Sequence, residues 1–368
     1  MKILLLSDVN SAHTRKWASG LASAELKIGI FSLSKPESDW FTHSGIKVFG
    51  SHKLSKAVFT GSLFGKLQYL KSIRSLKKVI KEFKPDIVHA HYASSYGLLG
   101  AMTGFHPFII SVWGSDVYDF PKSFFLNRSI LKFILKHADK ILSTSHSMAL
   151  ETKKFTNKDI MVIAFGIDLN VFKKQKVKSL FKEDEIVIGT IKSLEDKYGI
   201  NYLIEAIDII RKRNPNISMK LLIVGEGTKM NELKSLCKQK GIENLVIFAG
   251  MVPQESVPEY HNMFDVYVSL SIDDSESFGV AVIEASACSK PVVVTDVSGF
   301  LETTKNRITG LIVPRKNATA AAEAIEKIIF DKEYATILGE NGRKNVEQNY
   351  NWERNLEEQI SLYESLKK

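Results

Sequence analysis

Runs of apolar residues alternate with amphipathic segments through the first half of the chain. Continuous apolar runs predict six strands, which cover residues 3–6, 28–33, 87–90, 108–112, 140–143 and 161–164. Helical periodicity predicts five helices between or beside them, which cover residues 14–24, 66–81, 97–103, 127–136 and 147–154. Strands that are apolar on both faces and alternate with helices are typical of a doubly wound parallel sheet. The first half is therefore predicted to be an α/β domain.

A second alternating series begins at Ile186 and predicts a second sheet of the same kind. The length of 368 residues also exceeds what a single hydrophobic core comfortably serves. We expect an N-terminal domain at residues 1–172 and a C-terminal domain at residues 180–345, joined by an exposed, lysine-rich linker at residues 173–178. Residues 346–368 are predicted to form an amphipathic helix.

The composition favours a globular cytoplasmic protein. Hydrophobic residues make up 44% of the chain, and no apolar run is long enough to span a bilayer. The stretch from Met1 to Asp8 has no small-residue cleavage site, so it is interpreted as a first strand and not as a signal peptide. Cys237 and Cys288 show no metal-binding spacing and are interpreted as reduced thiols in or near the core.

Much of the net charge of +9 lies in two segments, 53–84 and 122–136, in which basic and apolar residues are interleaved. One interpretation is peripheral attachment to the anionic inner face of the plasma membrane, with apolar side chains entering the interface. The other is a pair of amphipathic helices that flank a sheet and expose their lysines to solvent. No nucleic-acid partner is expected, because no recognisable nucleic-acid-binding module accompanies the charge.

Two glutamates bracket the most informative segment, residues 276–284. It lies between two apolar runs, so its order is strand, polar loop, helix and strand, with Gly279 where the loop meets the helix. This order directs backbone N–H groups and the positive end of a helix dipole towards a crevice beyond the strand's carboxyl end. Glu276 lies in the loop and Glu284 lies in the helix, where their carboxylates can accept from hydroxyl groups. The segment therefore suits an anionic ligand that carries hydroxyls, such as a sugar nucleotide.

The C-terminal half resembles the retaining glycosyltransferases of family 4, which have the GT-B fold. The resemblance rests on motifs in family order and at family spacing, at residues 188–199, 201–206, 221–227, 276–284, 298–302 and 309–314. The N-terminal half matches more loosely. The resemblance implies an α/β protein with two facing Rossmann-like domains, parallel sheets and an interdomain cleft, with the final helix packing back on the N-terminal domain.

The resemblance also implies roles for individual residues of a donor site. Lys192 and Lys197 would hold the donor diphosphate; arginine is more usual at the first position, and lysine lacks its bidentate fork. Glu284 would bind the ribose hydroxyls, and Glu276 would accept from the 3- or 4-hydroxyl of the donor sugar. The remaining donor-binding residues would come from the same loop, at Ser277, Phe278 and Gly279.

No cofactor is expected beyond the nucleotide-sugar co-substrate, and no metal. The turn Gly225-Glu226-Gly227 follows a strand but lacks the third glycine of a dinucleotide fingerprint, so it is interpreted as a tight turn. Asp273 and Asp274 are interpreted as solvated, because a basic diphosphate site removes the need for magnesium.

The N-terminal half departs from the family pattern where the acceptor is expected. A histidine commonly precedes the Gly-Ser-Asp turn in the family, whereas this chain has Trp113 there. We expect Asp116 to orient the acceptor, with His91 as the second choice. For His89, the alternative to a role in the site is a structural histidine in the core. His13 also falls near the expected crevice.

The resulting prediction is a retaining, metal-independent glycosyltransferase. Its donor is a nucleoside diphosphate sugar, with uridine as the expected base, and its acceptor is a saccharide or lipid-linked saccharide in cell-surface polysaccharide synthesis, for instance lipopolysaccharide. Two alternatives stay open at this point. A nucleotide-sugar epimerase of the same fold would turn over the donor without an acceptor. A non-catalytic partner subunit would be expected to have lost Glu276, Lys192 or Lys197, and all three are present.

Overall fold

The computed structural model describes residues 1–50 and 63–367, with the backbone alone for residues 63–70. Two members of the first basic segment, Lys53 and Lys56, therefore lie outside the described residues. The chain forms two compact units. Unit 1 consists of Met1–Phe165 together with Glu353–Lys368, and unit 2 consists of Gly166–Trp352.

Unit 1 is built on a parallel sheet of seven strands in the order β3-β2-β1-β4-β5-β6-β7. The strands are β1 Lys2–Leu6, β2 Lys27–Ser32, β3 Lys47–Gly50, β4 Ile87–His91, β5 Phe108–Val112, β6 Lys140–Ser143 and β7 Ile160–Val162. The six predicted strands are confirmed, and the near-complete burial of β1, β2, β4 and β5 explains why their apolar runs are continuous. The edge strand β7 has no buried residue. The edge strand β3 was missed, because none of its four residues is buried and it carries no apolar run.

Helices cover this sheet and connect its strands. They are α1 Ala12–Ser23, α2 Leu63–Phe83, α3 Leu98–Thr103, α4 Ser115–Tyr118, α5 Phe120–Ser123, α6 Asn127–His137 and α7 His146–Lys153. Helix α3 packs against both α2 and α6, and all three contribute to one hydrophobic cluster with the strands. Helices α2, α3 and α6 therefore form one layer on the same face of the sheet.

Unit 2 contains a six-stranded parallel sheet in the order β10-β9-β8-β11-β12-β13. The strands are β8 Ile186–Ile191, β9 Met219–Val224, β10 Val246–Gly250, β11 Val266–Ser269, β12 Val292–Thr295 and β13 Leu311–Val313. The helices are α8 Ile200–Arg213, α9 Met230–Lys240, α10 Val257–Met263, α11 Val280–Ala287, α12 Ser298–Thr303, α13 Ala318–Ile329 and α14 Lys332–Asn349. Both predicted sheets are therefore present, and each unit is Rossmann-like.

Each sheet has one point at which its strand order reverses. In unit 1, β1 lies between β2 and β4, and Leu6 is in register with Phe31 and Ala90. In unit 2, β8 lies between β9 and β11. Ligands of doubly wound sheets bind beyond the carboxyl ends of the strands at such a reversal. Ligand-binding residues are therefore expected in the loops after β1 and β4 and in the loops after β8 and β11.

The final helix, α15 Trp352–Leu366, belongs to unit 1 from Glu353 onward. Its Tyr363 is fully buried in unit 1, where the hydroxyl lies 2.7 Å from His89 Nδ1. The lysine-rich stretch 173–178 is largely exposed, as predicted, but lies inside unit 2. It is fixed there by Asn262, which accepts from Gln175 N at 3.0 Å and donates to Lys173 O at 3.0 Å.

Candidate functional site

The loops after β8 and β11 bring opposite charges together at the reversal point of unit 2. Lys192 follows β8, and its Nζ lies 2.5 Å from Oε2 of Glu276, which follows β11. Only 14% of the lysine side chain and 10% of the glutamate side chain are exposed. Such a shielded ion pair is strongly coupled, so removing either partner leaves an unpaired, poorly solvated charge. Two residues picked out by sequence motif thus form one site.

Lys197 joins the same site through an aromatic ring. The Nζ atoms of Lys192 and Lys197 lie 4.7 Å and 5.1 Å from the ring centroid of Tyr198. An ammonium group is attracted to the face of an aromatic ring. The two lysines are therefore held beside a single ring, where both can serve one anionic ligand.

Two glycines allow the charged loops to approach their neighbours. Gly225 has φ +130°, and a Cβ at this position would lie 2.0 Å from the backbone oxygen of Lys192. A Cβ at Gly299 would lie 2.4 Å from the backbone oxygen of Glu276. Both contacts are with backbone and are too close for any side chain. The Gly225 turn therefore supports the loop of Lys192, in agreement with its interpretation as a tight turn.

Glu284 lies on α11 and is buried, and so is His261, which contacts its carboxylate. His261 of α10 places its Nε2 3.4 Å from Oε2 of Glu284. His261 is fully buried among aromatic rings, with Phe264 and Tyr267 at centroid distances of 5.9 Å and 5.5 Å. A backing histidine fixes the carboxylate and leaves its other oxygen for a ligand. Sequence reasoning missed His261, because a lone histidine in a short helix gives no signal.

Tyr267 lies beneath both glutamates of the site. Burial raises its pKa, and the nearby carboxylates of Glu276 and Glu284 raise it further. Its hydroxyl stays protonated and lies 3.4 Å from the backbone oxygen of Ile191. The neutral, fixed ring of Tyr267 therefore forms the buried base of the site.

The loop between the two glutamates is held by its side chains and leads into α11. Phe278 is buried against Tyr350 at a centroid distance of 5.5 Å, and Ser277 is also buried. Gly279 is the N-cap of α11, with φ +84°. Any contact of Phe278 with a ligand would therefore be made by its backbone.

The acidic pair after β11 has a structural role at its second member. Asp274 accepts from both N and Oγ of Ser298 at 2.9 Å and forms an ion pair with Arg315 at 3.0 Å. Asp274 is 40% exposed, so it is solvated as predicted, but it also fixes Ser298 and Arg315. Among residues 1–50 and 63–367, no cluster of three or more His, Cys, Asp or Glu side chains is arranged for a metal ion.

The predicted acceptor residues of unit 1 lie at its own reversal point. Asp116 is fully buried, and its carboxylate accepts from the backbone N–H groups of Ala93 at 2.7 Å, Gly114 at 2.8 Å and Trp113 at 3.1 Å. Burial raises the pKa of Asp116, and these hydrogen bonds oppose the increase. The geometry fits a carboxylate that orders the loop after β5.

His89 and His91, at the end of β4, differ in their hydrogen bonds. His89 is saturated, with Tyr363 Oη at 2.7 Å from Nδ1 and Ser111 Oγ at 2.8 Å from Nε2. It is a satisfied core histidine. His91 is buried with its ring 4.7 Å from that of Trp113, and its Nδ1 has no partner among the described residues.

Solved structures share this architecture over the whole chain. Sucrose-phosphate synthase from Thermosynechococcus elongatus superposes with a TM-score of 0.82 at 22% identity, covering 100% of this chain and 99% of the other. HepE from Anabaena, solved in complex with UDP, superposes with a TM-score of 0.78 at 18% identity, covering 100% of both chains. At these identities the likeness concerns the fold.

Sequence models of two glycosyltransferase domains match the chain. Residues 171–345 match the model described as glycosyl transferases group 1, and residues 2–145 match the one described as glycosyl transferase 4-like. Two Rossmann-like units matched in this order define the class of GT-B glycosyltransferases. Within that class, the chain belongs to glycosyltransferase family 4.

Curated relatives agree with this membership. An uncharacterised glycosyltransferase of Methanocaldococcus jannaschii is 29% identical over 236 residues, which is 61% of this chain and 59% of the relative. N-acetyl-alpha-D-glucosaminyl L-malate synthase of Bacillus anthracis is 28% identical over 297 residues, covering 76% of this chain and 74% of the relative. The capsular polysaccharide biosynthesis glycosyltransferase CapM of Staphylococcus aureus is 32% identical over 204 residues, covering 55% of this chain and 52% of the relative. The chain thus spans less than two thirds of the archaeal and staphylococcal relatives.

Within the part of the chain that the structure describes, every helix is too short or too polar to cross a bilayer.

Proposed function

We propose that unit 2 binds a nucleoside diphosphate sugar and that the enzyme transfers its sugar with retention of configuration. The ion pair between Lys192 and Glu276, 2.5 Å apart at the reversal point, carries this proposal. It places a cation and a carboxylate side by side, which are the two groups that a diphosphate and an adjoining sugar require. Each group exchanges its present partner for the ligand when the donor binds.

The two lysines act on the leaving group. As the bond between the anomeric carbon and the diphosphate oxygen breaks, its electron pair leaves with the diphosphate. Lys192 and Lys197 stabilise the negative charge that develops there. The acceptor oxygen bonds to the anomeric carbon, and its proton passes to the departing phosphate. Since the lysines supply positive charge, we propose that transfer needs neither a divalent metal nor a cofactor.

The two glutamates bind the sugars of the donor. Glu284, backed by His261, accepts from the ribose hydroxyls, and Glu276 accepts from a hydroxyl of the transferred sugar. The backbone of Ser277, Phe278 and Gly279 faces the same sugar and its phosphates. Uridine is our proposed base; UDP bound to HepE, which has the same fold, supports this choice.

Unit 1 is proposed to bind the acceptor, a saccharide or lipid-linked saccharide in cell-surface polysaccharide synthesis. The capsular polysaccharide enzyme among the relatives supports this class. Asp116 acts in this proposal as a positioning residue, because its oxygens are occupied by backbone N–H groups. His91 stays a candidate for the acceptor side through its unpartnered Nδ1.

A purified-protein assay tests the function directly. UDP is expected to raise the Tm, since a ligand at 100 times its Kd stabilises by about 2.7 kcal/mol. UDP-sugars are expected to release UDP faster when glycosides are added, and Glu276→Ala is expected to remove transfer while the protein stays folded. Glu259→Ala, an exposed carboxylate in unit 2, is the control. Sugar isomerisation without an acceptor would indicate an epimerase, and unchanged transfer in Glu276→Ala would refute the site.

Peripheral attachment to an anionic membrane is proposed for unit 1, with the second basic segment as its apolar element. Phe124, Phe125, Leu126 and Phe133 are 43%, 77%, 45% and 42% exposed. In contrast, the described part of α2 buries Leu76 and exposes its basic residues, as an amphipathic helix on a sheet does. Because α2 and α6 lie in one layer, the exposed rings and the lysines share one side of unit 1.

Vesicle sedimentation tests the membrane proposal. Phe125→Ser is expected to weaken binding to anionic vesicles, because the ring loses its place in the interface. Charge reversal at Lys71, Lys78 and Lys81 is expected to weaken it further, at about 1 kcal/mol per charge. Phe330→Ser, at a position 58% exposed in unit 2, is the matched control. Equal binding to neutral and anionic vesicles would rule out the electrostatic part.

A further inference from the structure

The histidines at the reversal point of unit 1 lie at different depths. His89 and His91 are 1% and 3% exposed, while His13, at the start of α1, is only half-buried. Both ring nitrogens of His89 are hydrogen-bonded to protein side chains, and His91 lies under Trp113. His13 is therefore the histidine of this group that a ligand can reach most easily.

Aromatic contacts fix the ring of His13. It stacks on Phe165 with centroids 4.0 Å apart and planes at 16°, and it meets Trp113 edge-on at 5.7 Å. Its ring nitrogens form no hydrogen bond within the described residues, so aromatic contacts hold the ring and leave both nitrogens without a hydrogen-bond partner there. A fixed ring loses little conformational entropy when it binds.

The neighbours of His13 complete a small binding surface. His13 follows β1, and Trp113 follows β5, so both lie beyond the carboxyl ends of the central strands. Trp113 is itself half-buried and packs on His91 from the other side. Aromatic surface with a few fixed polar groups is the usual lining of a small-molecule site. A sugar ring fits such a surface, because it has an apolar C–H face and a rim of hydroxyls.

We propose that His13 and Trp113 contact the acceptor in unit 1, with Trp113 packing against the face of an acceptor sugar and His13 hydrogen-bonding one of its hydroxyls. This inference rests on the proposed function and assigns the acceptor side to residues other than Asp116. Burial, and next the charge of Lys16, lower the pKa of His13 to about 4, so its ring is neutral near pH 7. A neutral imidazole has one nitrogen that accepts from a hydroxyl and one that donates.

Paired substitutions at His13 separate a hydrogen-bonding role from a packing role. His13→Phe keeps the stack on Phe165 and removes the hydrogen bonds, whereas His13→Asn keeps a polar edge and removes the ring. UDP release from a UDP-sugar that the wild-type protein turns over is measured with a panel of octyl glycosides. We expect His13→Phe to lose at least tenfold in acceptor kcat/KM and His13→Asn to retain more. Trp113→Leu is expected to raise the acceptor KM, and His43→Phe, at an exposed position, is the control.

The UDP-induced rise in Tm distinguishes failure of this inference from failure of the donor site. It is expected to be the same in all four variants. If UDP stabilises the protein but His13→Phe and Trp113→Leu respond to glycosides like the wild type, the inference is wrong and the donor site stands. If His13→Asn fails and His13→Phe is active, His13 serves packing only. No response of the wild-type protein to any glycoside would overturn the proposed ligand class.

Discussion

At the scale of single residues, His261 shows how one buried side chain sets the geometry of a neighbouring carboxylate. Its Nε2 reaches Glu284 at 3.4 Å from within an aromatic enclosure, and its Nδ1 has no partner among the described residues. A polar ring without full hydrogen bonding is costly to bury, about 1–3 kcal/mol for an unsatisfied group. A cost of this kind in the core is consistent with a role in the site.

His261→Phe is expected to raise the KM for the donor by about 2- to 10-fold, which corresponds to one hydrogen bond of 0.5–1.5 kcal/mol. The reason is that Glu284 loses the contact that orients it, while Lys192 and Lys197 are untouched. Steady-state kinetics would show the change in KM with kcat largely kept. Weaker binding of uridine alone would assign the effect to the ribose. A drop in Tm with donor KM unchanged would mean that His261 only stabilises the core.

At this scale, sequence motifs assigned three residues to one site, and their roles there stay predictions. Lys192, Lys197 and Glu276 were found by their place in motifs, and the structure brings their side chains together. His261 was missed because its partner is 23 positions away and no local pattern links the two. The hydrogen bonds from backbone N–H groups to the Asp116 carboxylate could not be predicted from the sequence either, because they depend on how two loops fold against each other.

At the scale of elements, close backbone contacts decide where the site loops lie. Helix α12 touches the loop after β11 through Gly299, whose hypothetical Cβ would meet the Glu276 oxygen at 2.4 Å and the Phe278 nitrogen at 2.5 Å. A methyl group cannot be accommodated there without displacing the loop, since neither atom belongs to a flexible side chain.

Gly299→Ala is expected to weaken UDP binding, because the displaced loop carries the backbone of Phe278 and Gly279 away from the phosphates that it is proposed to face. Overpacking of this kind costs about 1–3 kcal/mol. Isothermal titration with UDP measures the loss. Gly241→Ala is the control, since it has φ +63° with nothing within 4 Å of its Cβ. It is expected to lose about 1–2 kcal/mol of stability from backbone conformation with UDP affinity unchanged, and equal effects of both substitutions would contradict the loop argument.

Strand prediction from apolar runs worked because most strands are buried on both faces. It failed at β3, an edge strand whose residues Lys47–Gly50 are partly or fully exposed. The basic segment 53–84 could be interpreted in two ways because an amphipathic helix on a sheet and one on a membrane share a pattern. Only the burial of Leu76 and Val79 shows that the described half of α2 faces the sheet.

At the scale of the whole molecule, stability is expected to depend on pH through unit 1. Burial, and next His13, lower the pKa of His91 to about 3, and burial with His91 lowers the pKa of His89. In the unfolded chain these groups titrate near 6.5, so the unfolded state binds more protons below that pH. Their contribution to the free energy of unfolding is therefore expected to be constant above pH 7 and to fall as the pH decreases from about 6.5 towards the folded-state values.

Each histidine contributes up to about 1.4 kcal/mol per pH unit in that range. His91→Phe removes one titrating group, so its urea midpoint is expected to decline less between pH 7 and pH 5 than that of the wild-type protein. His43→Phe, an exposed control, is expected to follow the wild type. If the urea midpoints of His91→Phe and the wild-type protein decline in parallel, His91 does not cause the loss of stability at low pH.

The discontinuity of unit 1 has a consequence for biosynthesis. The ribosome delivers Gly166–Trp352 as one uninterrupted stretch, so unit 2 has all of its residues while Tyr363 has yet to be translated. Until then, the imidazole of His89 lacks the phenol that satisfies it. A chain truncated after Trp352 is therefore expected to keep all the residues of unit 2, while His89 Nδ1 in unit 1 is left without its hydrogen-bond partner.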